Sequence, residues 1–143
     1  MEFSDVIKNR YSCKKFSSEQ IGKDKLDAIL EAGRVAPTAK NLQEQHIYVV
    51  QSESALETID KLTPCRYNAP TVLIVAYNKN NVFTYLGDKR NSGIEDATIV
   101  ATHLMLAAYN EGVDSCWINF FNPDELAKAF NLPEDCLLYT SPS

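Results

Sequence analysis

Gly93-Ile94-Glu95-Asp96-Ala97-Thr98-Ile99-Val100-Ala101-Thr102-His103-Leu104-Met105-Leu106-Ala107-Ala108 is the stretch that decides the fold. Between Ile94 and Ala108, ten of fifteen residues are apolar. Their spacing leaves no continuous polar face. A helix at the surface of a globular protein carries one apolar stripe, so a helix apolar nearly all round is expected to be buried on several sides. Part of that surface is expected to face a second subunit. Ser92 and Glu95 have the spacing of a capping box at its start, and Gly112 suits a left-handed cap at its end.

The flanking segments extend the pattern. On the C-terminal side, Ser115-Cys116-Trp117-Ile118-Asn119-Phe120-Phe121 reads as a strand, and Asn122-Pro123-Asp124-Glu125 as a cap and first turn for the helix Leu126–Phe130. On the N-terminal side, Thr71 to Tyr77 is a continuous apolar run, as in a strand buried on both faces. Residues 54–62 read as a helix and His46 to Val50 as a strand. A helix capped by Asp24 has Leu26, Ile29, Leu30 and Gly33 on one face and must end before Ala36-Pro37. Phe3, Val6 and Ile7 mark a short first helix. Helices and strands mix without a βαβ rhythm. The expected class is therefore α+β, a sheet packed with helices around one long buried helix.

The chain has 143 residues, within the range of one domain with a full core. Its net charge of −5 and scattered cations give no basic face for nucleic acid. No apolar run is long enough to span a membrane, and the start, with Glu2 and no apolar run, is not a secretory signal. The four cysteines form no CxxC pair, so reduced thiols in a cytoplasm are expected. His46 and His103 have no metal-ligand spacing with a Cys or an acid. Residues Asp88 to Arg90 read as a solvated turn. The last eight residues, Cys136-Leu137-Leu138-Tyr139-Thr140-Ser141-Pro142-Ser143, match the peptide encoded by one reading frame of a common transposon-type sequencing adapter. Residues 1–135 are therefore expected to form the domain and 136–143 to be adapter-derived.

Two segments carry candidate chemistry. In Arg10-Tyr11-Ser12-Cys13-Lys14-Lys15-Phe16, an extended backbone would put Arg10, Ser12 and Lys14 on one edge. A guanidinium fork, a hydroxyl and a point charge there suit a phosphate; the alternative is a solvated basic turn. In Ala36-Pro37-Thr38-Ala39-Lys40-Asn41-Leu42-Gln43, small residues permit close approach of a ligand to the backbone. Asn41 and Gln43 bring side-chain amides that can read the edge of a heterocycle; the alternative is an ordinary polar connection.

These two segments, together with Gly93-Ile94-Glu95-Asp96 through Gly112 into Cys116-Trp117-Ile118-Asn119, resemble the nitroreductase family of FMN-dependent oxidoreductases. The resemblance runs from Phe3 to about Asp135. It implies a nitroreductase-like mixed sheet and a homodimer with two FMN sites at the subunit interface. Arg10, Tyr11, Ser12 and Lys14 would hold the phosphate and the pyrimidine side of the ring. Pro37, Thr38, Ala39, Asn41 and Gln43 would line the ring from the other subunit, and Trp117, Ile118, Asn119 and Phe120 would pass along it. The implied activity is ping-pong transfer of hydride from NADH or NADPH, through flavin N5, to nitroaromatic, quinone or similar acceptors. No protein nucleophile is needed, and Lys14 would stabilise negative charge near N1 and O2. A flavin-storage protein without turnover and a plain dimerisation module are the competing classes. Three departures from the family pattern stand out: Tyr11 where a second Arg is frequent, Asn119 where Gly is frequent, and no counterpart after Glu134 of a late basic residue on the phosphate, so a C-terminally truncated member is expected.

Overall fold

The computed structural model describes residues 1–87 and 89–140, with the side chains of 136–140 left out. Asp88, in the expected solvated turn, and residues 141–143 of the expected adapter-derived segment lie outside the described residues. In chain order the elements are α1 (Phe3–Asn9), α2 (Lys23–Arg34), β1 (Gln45–Val50), α3 (Glu53–Leu62), β2 (Val72–Asn78), α4 (Gly93–Asn110), α5 (Pro123–Ala129) and β3 (Cys136–Thr140). A single turn of 3-10 helix, Ala39–Asn41, lies between α2 and β1.

The three strands form an antiparallel sheet in the order β1-β2-β3. Its centre, β2, explains its own composition. Leu73, Val75 and Tyr77 point to one face, where they meet Ile29 of α2 and Ala97, Val100, Ala101 and Leu104 of α4. Val72 and Ile74 point to the other, against Ile59 of α3 and Leu126 of α5. A strand covered on both faces has no place for a polar residue, hence the unbroken apolar run. The fold is α+β, with helices on both faces of a small sheet and α4 in the main core.

Helix α4 is buried through Ala97, Val100, Ala101, Leu104 and Ala108. Gly33 lets α2 approach it closely, since a Cβ there would lie 2.7 Å from Leu104 Cδ2. The other side of α4 is covered only in part, and Ile94 is 59% exposed. Among the described residues no helix is long and apolar enough to cross a membrane.

Several expectations about local structure are corrected. Ser115 to Phe121 is not a strand. Its one strand bridge among the described residues is the parallel one from Ser115 to Ser12, which is not extended into a ladder. The sheet of named strands is thus antiparallel throughout, and the parallel component is this one bridge. Ser92 does not cap α4 through its side chain. Its Oγ accepts from the Phe83 amide, and Glu95 accepts instead from the Tyr85 hydroxyl at 2.6 Å. Asn91 Oδ1 takes the Gly93 amide at 2.9 Å. Gly22 rather than Asp24 is the N-cap of α2, with Asp24 in its first turn. The left-handed Gly112 (φ 76°) after α4 and the Asn122 cap of α5, whose Oδ1 accepts from the Asp124 and Glu125 amides, are as expected.

Candidate functional site

The first candidate segment leaves α1 in extended conformation at Arg10. It is then pinned to the stretch after α4. Ser12 bridges Ser115, the Cys13 amide donates to the Ser115 carbonyl at 2.9 Å, and the Tyr11 hydroxyl donates to Asp114 Oδ2 at 3.1 Å. The Asp114 carboxylate holds the Tyr11 phenol above its usual pKa, because the bonded proton is harder to lose beside a negative charge. This brings Arg10, Ser12 and Lys14 close to Ser115 and Cys116. The charges of Lys14 and Arg10 both act on the Cys116 thiol, although its burial, the larger effect, raises its pKa.

The electrostatics of this edge are unbalanced. The ion pairs among the described residues are Lys23–Asp27, Arg34–Glu31 and Arg66–Asp60, so neither Arg10 nor Lys14 is paired with a carboxylate. One Arg10 terminal nitrogen lies 3.4 Å from Ser12 Oγ, and Arg10 Nε is buried with no hydrogen-bond partner. A buried N–H of a guanidinium without an acceptor costs free energy. It marks a place where an oxygen ligand would be favourable.

Further along, Trp117 Nε1 donates to Asn119 Oδ1 at 3.0 Å, Ile118 is buried, and Phe120 is 72% exposed. The backbone there is held by Thr63, whose hydroxyl donates to the Phe120 carbonyl at 2.6 Å.

The second segment is a turn whose backbone is far from relaxed. Lys40, Asn41 and Gln43 all have positive φ, at 55°, 53° and 51°. Left-handed conformations cost L-residues free energy and persist only where the surroundings impose them. Here the Asn41 amide donates to the Thr38 carbonyl at 2.9 Å, the Gln43 amide to Thr38 Oγ1 at 3.0 Å, and the Ala39 amide to Asp96 Oδ1 at 3.0 Å. The last bond ties the turn to the first turn of α4. The backbone thus consumes the Thr38 acceptor. The side-chain amides of Asn41 and Gln43 are exposed and make no hydrogen bond among the described residues. Pro37 is exposed as well.

The expected site residues therefore fall into two groups. Arg10, Tyr11, Ser12 and Lys14 come together with Asp114, Ser115 and Cys116, the stretch that leads directly into Trp117, Ile118, Asn119 and Phe120. Pro37, Thr38, Ala39, Asn41 and Gln43 sit on the separate turn anchored to α4. Among the described residues the hydrogen bonds of Arg10, Tyr11 and Ser12 run to their own edge and to Asp114, not to the turn. Asp96 and Glu44 belong beside the second group and are absent from the sequence-based set. Asp96 reads as a helix N-terminal acid and Glu44 as one more polar residue of a polar connection. Only the folded chain brings them together.

The nitroreductase family model matches residues 7–66 and 61–141. The chain belongs to the nitroreductase family. A crystal structure of a nitroreductase family protein from Clostridium difficile 630 superposes with a TM-score of 0.94 at 33% identity, covering 98% of this chain and 81% of that one. An FMN-dependent nitroreductase from Clostridium difficile R20291 has a TM-score of 0.81 at 27% identity, covering 98% and 84%. A Bacillus subtilis 168 protein provisionally named an NAD(P)H nitroreductase is 28% identical over 91% of this chain and 82% of its own. Both segments that carry the expected site and the whole of α4 lie inside the family match. The family's oxidoreductase character attaches to this chain through that match.

Proposed function

We propose that this nitroreductase-family chain binds FMN between two copies of itself and uses NADH or NADPH to reduce small acceptors such as nitroaromatics or quinones. The observation that carries the reading is the unpaired cationic edge: Arg10 Nε buried without an acceptor, Ser12 Oγ beside the guanidinium, and Lys14 two residues on. The residues fit the cofactor. Arg10 and Ser12 would hold its phosphate, the guanidinium offering the forked donors that arginine brings to such oxygens. When bound, FMN supplies two-electron redox chemistry at its isoalloxazine ring, accepting from a reduced nicotinamide and donating to a second substrate in turn.

The chain's own residues then have positional roles. Lys14 brings a positive charge that stabilises an anionic ring edge, as an oxyanion donor would. Asn41 and Gln43 offer free amides from a rigid turn, and the turn comes from the other copy, in keeping with hydrogen bonds of the Arg10 edge that run to Asp114 and not to the turn. Tyr11 directs its hydroxyl to Asp114 and so orients the edge through that bond. Exposed Phe3 and Ile7 of α1, Ile94 of α4 and Phe120 are apolar surface that a second copy would cover. The test is spectroscopic. The purified chain, incubated with FMN, should retain flavin absorbance after desalting, and that absorbance should bleach on addition of NADH or NADPH. Arg10→Ala and Lys14→Ala should each weaken FMN binding by about tenfold or more, the scale of one lost charge-assisted hydrogen bond. Absence of bound flavin after reconstitution would overturn the reading, and bound flavin that never bleaches would remove the reductase activity from it.

A further inference from the structure

Glu44 and Asp96 are each 2% exposed. Glu44 follows Gln43 at the end of the strained turn, and Asp96 lies in the first turn of α4. Asp96 is the neighbouring side chain whose hydrogen-bonding and charge act on the Glu44 carboxyl. Each has one oxygen already used: Gln45 Nε2 donates to Glu44 Oε1 at 2.8 Å, and the Ala39 amide donates to Asp96 Oδ1 at 3.0 Å. Each has one oxygen left, Glu44 Oε2 and Asp96 Oδ2, buried and without a partner when both groups are written as carboxylates. Two neighbouring buried carboxylates, each with an orphan oxygen, are unfavourable twice over, through desolvation and through mutual repulsion. A single proton shared by the pair removes both penalties.

We propose that Glu44 is a positioning residue for the cofactor-facing turn: in its acid form it donates to Asp96, and Asp96 in turn holds the Ala39 amide and fixes the turn that carries Thr38, Asn41 and Gln43. The inference rests on the reading of that turn as part of the FMN site. Burial, followed by the Asp96 contact, pushes the Glu44 carboxyl up to about 7, which places its proton loss near neutral pH. The ionisable groups on the elements around it are Asp96 and Glu95 of α4, Tyr77 of β2, Lys40 of the turn and His46 of β1. Glu95 is bonded by Tyr85, Lys40 and His46 are exposed, and Asp96 is the one whose charge acts on Glu44. Among the described residues no cation acts on Glu44, so loss of the proton leaves repulsion as the outcome. The turn, strained at Lys40, Asn41 and Gln43, is then released.

Glu44→Gln replaces the acid by an amide of nearly the same shape. Its NH2 donates to Asp96 at every pH and its oxygen still accepts from Gln45. The experiment compares the parent chain with Glu44→Gln between pH 5.5 and 8.5 by two measurements. One is hydrogen exchange at the Ala39 amide in the flavin-free protein, corrected for intrinsic base catalysis. The other is the FMN dissociation constant by fluorescence quenching. The parent should lose Ala39 protection above pH 7, with the FMN dissociation constant rising by up to about tenfold per pH unit, the limit for one linked proton. Glu44→Gln should stay flat in both. Matching profiles for the two proteins would refute the proposal. Failure of both proteins to take up FMN at any pH would instead refute the cofactor reading, and the Ala39 exchange profile would still decide the role of Glu44.

Discussion

Gly93→Ala is the substitution that most directly probes how α4 is seated on the sheet. An ideal Cβ at Gly93 would lie 2.2 Å from Tyr77 Cε2, 2.6 Å from Cζ and 2.7 Å from Cδ2. Carbon atoms in favourable contact are about 3.5–4.0 Å apart, so the ring or the helix must retreat by more than an ångström. Neither can do so freely. Tyr77 is buried in the core between β2 and α4, and its phenol is pushed above its usual pKa by that burial. Overpacking of this kind costs roughly 1–3 kcal/mol. The better helix propensity of Ala returns at most about 1 kcal/mol, and less in a first turn. The expected net loss is about 1–2 kcal/mol, or roughly 3–8 °C in Tm for a chain of this size. Urea and thermal unfolding followed by circular dichroism at pH 6 measure it. The double-mutant cycle with Tyr77→Leu is the sharper assay, because the clash is with the outer ring atoms. In the Tyr77→Leu background the cost of Gly93→Ala should fall to near zero, a coupling of about 1 kcal/mol or more. An additive result, or a neutral Gly93→Ala in the parent, would sink the argument that Tyr77 sets the approach of α4. Because Asp96 sits on the same first turn, the single variant should also lose FMN affinity while the double variant recovers it.

Other outcomes follow from the same geometry. Folded Glu44 has its pKa raised from 4.5 to about 7, so the folded state keeps this proton over a range where the unfolded chain has released it. Stability from this group is therefore fully present below pH 4.5 and is lost as pH rises through 7, by at most about 3 kcal/mol; urea unfolding of Glu44→Gln should lack that decline. Leu104→Ala, at a fully buried position against Gly33, should cost about 2–5 kcal/mol in denaturant unfolding. Asn122→Ala removes the acceptor for two amides of α5 and should cost about 1 kcal/mol. Thr38→Val keeps the shape of the side chain but removes the oxygen that accepts the Gln43 amide, so exchange at Gln43 in the flavin-free chain should quicken by about tenfold with little change in Tm.

The elements legible in the sequence are those whose signal is local and whose environment is uniform. Helix α4 and strand β2 are apolar on more than one side because each is covered on more than one side, so composition alone reports their burial. The Asn122 cap and the Gly112 terminus are decided within a few residues. Ser115 to Phe121 misled for the opposite reason. Its β-branched and aromatic residues suit a strand, but a strand needs a ladder, and among the described residues the bridging stops at Ser115 and Ser12. The Ser92–Glu95 box failed because both side chains have better partners elsewhere, the Phe83 amide and the Tyr85 hydroxyl. In the candidate site, the extended backbone at Arg10 and the nearness of its guanidinium to Ser12 Oγ follow from the alternation read in the sequence. The Glu44–Asp96 pair was not legible, since nothing in a polar stretch or a helix first turn distinguishes an acid that will be buried from one that will be solvated.

The energetics of the 38–43 turn explain why such a pair would be retained. Three L-residues in left-handed conformation cost about 1 kcal/mol each, somewhat less for Asn41. Against this stand two neutral hydrogen bonds to Thr38, at about 1 kcal/mol each, and one from the Ala39 amide to a carboxylate, at about 1.5–3 kcal/mol. The balance is close to level, and the bond to Asp96 decides its sign. That bond is the one that connects the turn to α4, the helix packed most deeply into the core. A turn held by its own local bonds alone would sample other shapes; held by Asp96 it inherits the rigidity of α4. Asp96 Oδ2 is otherwise unpartnered, and in the proposal above the proton on Glu44 is what satisfies it. Under the same proposal, the order of this turn depends on one proton buried behind it, a dependence that a solvent-exposed anchor such as a lysine could not provide.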